Sequence, residues 1–139
     1  MTNREKKAYL SRYISAGREI EDLKRERERW REYGESITSN ISYEPRTGGV
    51  SDKVGVSAAN IARIDSELER KLGALVSLRL EIGSHIDTVG DDTLRRVLYL
   101  RYVEGNTWEQ IAVIMNYTYQ WVCVLHGRAL SLFKTVDSN

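Results

Sequence analysis

Thr107-Trp108-Glu109-Gln110-Ile111-Ala112-Val113-Ile114-Met115-Asn116-Tyr117-Thr118-Tyr119 is the stretch on which the fold turns. Its apolar residues keep helical spacing up to Met115, break at Asn116 and resume after Thr118. Thr107 and Gln110 stand at capping-box spacing, and Thr118 is placed to cap the helix that follows, Tyr119 to Phe133. Asn is the residue after Gly that best tolerates a left-handed backbone, so Asn116 suits a sharp turn between two helices. Two helices that meet closely need a small residue at the crossing, and Ala112 supplies one, four residues before the turn. Ile111, Met115, Tyr117, Val122 and Leu125 fill the positions from which the two helices would share a core. Small contact, turn residue, apolar set and two caps in register predict a helix-turn-helix.

Working back from this stretch, Gly90-Asp91-Asp92 is a break, with Gly suited to end one helix and Asp to cap the next. A short helix is expected over Thr93 to Val103, with Leu94, Val97, Leu98 and Tyr102 inward, ending at Glu104-Gly105-Asn106. Residues 1–90 read differently. Tyr9, Tyr13, Ala16, Ile20, Leu23, Arg27, Trp30, Gly34 and Ile37 recur at alternating steps of four and three, the rhythm of a coiled-coil seam. Glu, Arg and Lys crowd the positions between them, which marks a solvated helix with one apolar stripe rather than a nucleic-acid patch. The helix should stop near Thr38. Pro45, Gly48-Gly49 and Ser51-Asp52 predict a loop near 42–57, and Ser57 is the expected cap of a second long helix. That helix carries Ile61, Ile64, Leu68, Leu72, Leu75, Leu78, Ile82, Ile86 and Val89 as its stripe, so an antiparallel helical hairpin is expected. The chain is thus read as all-α, with a hairpin or coiled coil over 1–90 and a three-helix helix-turn-helix domain over 91–139.

Composition narrows the function classes. Charged residues make up 29% and hydrophobic ones 41% of 139 residues, and no run approaches the roughly 18 to 20 apolar residues of a membrane span. Met1 to Ser11 lacks the apolar core of a signal peptide, so a cytoplasmic protein with no membrane partner is expected. The single cysteine, Cys123, and two histidines make no metal cluster, and no cofactor is expected. No nucleophile–base pair, phosphate-cradling Gly loop or carboxylate pair in apolar surroundings is apparent, which argues against an enzyme. Net charge is only +1, and residues 91–139 hold five basic and five acidic side chains, so the last third has no net attraction for phosphate.

Leu94 to Leu132 resembles region 4 of sigma-70-type transcription factors. The likeness is carried by Arg101-Tyr102-Val103-Glu104-Gly105, Trp108-Glu109-Gln110-Ile111-Ala112 and Arg128-Ala129-Leu130. With the preceding hairpin, the chain is similar to small phage and prophage regulators of this type, the ArpU-like late transcription regulators among them. The resemblance implies promoter-binding activity, with double-stranded DNA and RNA polymerase as expected partners and no enzymatic chemistry. It sets Tyr119, Gln120, Cys123 and Val124 toward the major groove, with Trp121 and His126 beside them. Thr107, Trp108, Thr118 and Arg128 join the expected DNA-binding set as caps, phosphate contacts and support. Sigma factors place Arg and Glu at several of these positions, whereas this helix offers Gln120 as its one bidentate reader, best suited to adenine. A homodimer through the hairpin is the expected assembly. An adaptor that leans on RNA polymerase or another regulator for affinity, and a small phage DNA-packaging subunit, stand as alternatives.

Overall fold

The computed structural model describes residues 1–39 and 49–135, and these form helices and no strand. The helices are α1 (Asn3–Leu10), α2 (Arg12–Ser39), α3 (Gly49–Asp87), α4 (Asp92–Tyr102), α5 (Trp108–Met115) and α6 (Tyr119–Leu132). No helix among the described residues is long and apolar enough to cross a membrane.

Local chemistry accounts for most helix ends. Thr2 and Glu5 form a capping box at the start of α1, and Asp91 caps α4 by accepting from the Leu94 N–H at 3.0 Å. The second long helix begins at Gly49 instead of after Ser57, so residues 49–57 of the expected loop are helical. Asp52 in the first turn of α3 complements the positive end of the helix dipole, a contribution that the Gly and Ser content of this stretch conceals. Ser57 caps nothing: it is buried within α3 and donates its hydroxyl to the Trp30 carbonyl at 2.6 Å. Residues 42–48 of the expected loop, and the side chain of Ile37, lie outside the described residues.

Compactness divides the chain otherwise than at residue 90. One unit comprises Met1–Ala16 with Leu75–Asn139, the other Gly17–Ala74. The reason lies in the core of the first unit, where Leu10 of α1 and Ile82, Ile86 and Val89 of α3 are buried together with Val97, Leu98, Leu130 and Phe133. A second cluster, Leu100, Ile111, Ala112 and Val122, joins α4 to α5 and α6. Trp108 and Met115 pack against both. Lys6 fastens α1 to α6 by donating to the Leu130 carbonyl at 2.6 Å, in the last turn of α6, where carbonyls lack helical partners and a cation is favoured. Arg95 donates to the Val89 carbonyl at 2.8 Å and pairs with Asp92, so it secures the α3–α4 connection.

In the second unit, α2 and α3 are joined by Arg27–Asp65 at 2.6 Å, Arg63–Glu26 at 3.7 Å and Lys71–Glu19 at 3.2 Å. Ile20 and Ile64 are its buried hydrophobic residues among those described. Gly34, on the expected seam, lies so close to Ser57 that a Cβ there would stand 2.8 Å from Ser57 Oγ. Leu72, expected within the stripe of α3, is 44% exposed.

Candidate functional site

The site is built on the turn Asn116–Tyr117–Thr118 between α5 and α6. Asn116 ends α5 in the left-handed region, at φ 58° and ψ 45°, the one non-glycine residue with positive φ among those described. The Tyr117 N–H returns to the Ala112 carbonyl at 2.9 Å, and Ala112 itself is buried. Thr107 and Gln110 form both bonds of a capping box, and the Thr118 hydroxyl accepts from the Trp121 N–H at 3.1 Å. Four of the five expected shared-core residues point inward: Ile111, Val122 and Leu125 are buried and Met115 is half-buried. Tyr117 departs from that set at 39% exposure.

With Val122, Leu125, His126, Ala129 and Leu130 committed to the interior, the opposite face of α6 presents Tyr119, Gln120, Trp121, Cys123, Val124 and Arg128 to solvent. Thus the residues expected to face a groove are brought together on one exposed surface. The Arg128 guanidinium stacks 5.1 Å from the Trp121 ring centroid, on the exposed face. Beside Tyr119 the Cys123 thiol holds the phenol above its ordinary range, with Glu109 acting in the same direction and Arg101 opposing.

One expectation is corrected. His126 does not stand beside the groove positions but is buried, 2.7 Å from the Tyr102 hydroxyl, in a hydrogen bond that closes α6 onto α4. Burial, reinforced by Lys7 and Arg101, pushes His126 down to about 4, and burial pushes Tyr102 up to about 12. Trp108, for which the sequence leaves open a place along the DNA backbone or over the core of the two helices, is a half-buried wall: its ring lies 4.4 Å from the His126 ring and 4.4 Å from the Arg101 guanidinium. Arg101 also donates to the Asn106 carbonyl at 3.0 Å, so this cation is positioned by two contacts.

The sequence pattern does not disclose the part that α1 plays. Asn3, Lys7 and Ser11 border α6 across a cleft of about 490 Å³, which Arg101, Trp108 and Cys123 also line. The burial of His126 was findable, because it falls in the inward series Val122, Leu125, Ala129 that periodicity already marks. No known family, characterised protein or solved structure matches the chain.

Proposed function

We propose that this protein is a DNA-binding transcription regulator that reads promoter DNA with α6, as a helix-turn-helix of the sigma-70 region 4 type. The observation that carries this reading is the left-handed turn at Asn116 joined to a capped helix whose whole outer face is exposed. A helix so presented fits the major groove, and capped N-termini at Thr107 and Thr118 suit phosphate oxygens. Gln120 serves as the adenine reader, and Tyr119, Cys123 and Val124 offer apolar contact to thymine methyl groups. In this reading α2 and α3 make an antiparallel hairpin, which the ion pairs support, since Glu19 pairs with Lys71 whereas Glu26 and Arg27, further along α2, pair with the earlier α3 residues Arg63 and Asp65. The hairpin would provide dimerisation, and phage or prophage genes would be the setting.

Selection of bound duplexes from a random pool, with and without RNA polymerase, tests the reading. Enrichment of one site by the isolated protein is expected, and Gln120→Ala should cost about 1–3 kcal/mol of discrimination at one base pair. Absence of binding at low salt would sink the autonomous regulator.

A second reading has its own observation. Val113 is 81% exposed, and Ile114, Tyr117, Trp121 and Val124 are exposed on the same two helices and their turn. An apolar surface of this kind suits a protein partner better than phosphate, so an adaptor docking on RNA polymerase is the alternative. Enrichment of DNA only when polymerase is present would favour it.

A further inference from the structure

Three cationic side chains of α1 and α4 approach α6, and two of them, Lys7 and Arg101, face one cleft. Among the described residues no carboxylate lines it: the other polar groups at its wall include Asn3 and Ser11, both able to donate. Trp108 forms a flat side, and Arg101 is held in place by that ring and by the Asn106 carbonyl. Gly127 brings bare α6 backbone to the cleft, and a Cβ there would meet nothing within 4 Å. The positive potential of this space is felt inside the protein, because Lys7 and Arg101 both help to keep the buried His126 uncharged. Segment charge agrees: Met1–Ala16 carries Arg4, Lys6, Lys7 and Arg12 against Glu5 alone, so packing α1 on α6 gives the unit a cationic edge that residues 91–139 lack.

We infer that this cleft binds a phosphate group, with Lys7 and Arg101 as its charge partners and Asn3 and Ser11 as neutral donors. Two sources share that chemistry, a backbone phosphate of DNA lying along α6 and a free phosphate ligand. The first rests on the function proposed above, and the second does not. The cleft borders Cys123, on the expected reading face, so a strand lying along α6 would carry a phosphate past it.

The test follows backbone amide shifts of the full chain on adding inorganic phosphate or a short duplex of mixed sequence. Two variants accompany it: Lys7→Gln removes one exposed cation, and Gly127→Asp places a carboxylate where there is open space. Saturable shifts at Lys7, Ser11 and Gly127 are expected with either probe and should vanish in both variants. The salt slope of duplex binding should fall by about one for each phosphate that loses its cation. Shifts with the duplex alone assign the site to DNA. Shifts with phosphate, in a protein that binds no duplex, keep the cleft and overturn the DNA reading. A duplex that binds while these amides stay still and both variants keep the slope overturns the cleft and leaves the DNA reading standing. Still amides with both probes overturn it outright, as do shifts that persist in both variants.

Discussion

The unit made of Met1–Ala16 and Leu75–Asn139 and the unit Gly17–Ala74 are both helical, yet they are held by different forces. In the first, four helices bury side chains around Phe133, and its polar interior groups are paired, as Tyr102 is with His126 and Tyr9 with His85. In the second, Ile20 and Ile64 are the described apolar residues that reach full burial, Leu23, Trp30, Ile61 and Leu68 are half-buried, and largely exposed ion pairs join α2 to α3. Burial of apolar area stabilises at about 25 cal/mol per Å², whereas an exposed ion pair contributes about 0–1 kcal/mol. The first unit should therefore be the stable, closely packed one, and the second the one that opens first.

The largest expected effect breaks that contrast from the strong side. Phe133 is fully buried against Tyr9 and His85, beyond the end of α6. Phe133→Ala should cost about 3–5 kcal/mol in urea unfolding, through forfeited transfer energy and the cavity left behind. Hydrogen exchange should show faster opening in α1, α4 and α6, with amides of residues 20–35 little changed. Equal acceleration in both units would mean that they unfold as one, and the contrast would fail.

Acid should weaken the same unit by a different route. The His126 imidazole has an ordinary value of 6.5 and stands at about 4 in the folded chain. Between these values the unfolded chain takes up a proton that the folded chain refuses, so stability falls as pH drops from 6.5 toward 4 and is level above 6.5 for this group. The full span amounts to about 3 kcal/mol. His126→Gln removes this dependence, although it also disturbs the bond to Tyr102. The decisive quantity is therefore the slope of stability against pH, not its absolute value. Wild type and variant with parallel slopes across pH 4–6.5 would show that His126 is protonated without penalty.

How far the sequence disclosed this arrangement depended on the range of the interaction involved. Caps and turns are decided by residues three or four apart, so Thr107 with Gln110, Thr118, Asp91 and Asn116 were all legible. Of the expected seam, Ile20 is buried and Gly34 closely approaches Ser57, while Tyr9 lies in α1 and not in α2. Ser57 misled because a serine hydroxyl can cap its own helix or donate to another, and the acceptor, the Trp30 carbonyl, is 27 residues away. The packing of α1 on α6 joins Lys6 to a carbonyl 124 residues further on, and no local pattern signals that. At the candidate site, the outer face of α6 followed from periodicity. Arg101, Lys7 and Trp108 around His126 did not, since three separate helices bring them together.

The smallest effect sharpens the contrast from the weak side. Lys71 on α3 lies 3.2 Å from Glu19 on α2 and 3.9 Å from Glu67 one turn back, with about a third of its side chain exposed. The pair across the helices gains Coulomb energy in a largely aqueous setting and must hold two long side chains in place, so Lys71→Ala should cost only about 0.5 kcal/mol. Its signature is the response to salt. Added chloride should erase the difference between variant and wild type and speed exchange in residues 20–35, because exposed charges are screened within about 3 Å at 1 M. The Phe133→Ala penalty should survive the same salt, since apolar burial has no charge to screen. A Lys71→Ala penalty that persists at about 1 M salt would mean that the aliphatic stem of the lysine matters more than its charge, and that α2 and α3 are held by burial after all.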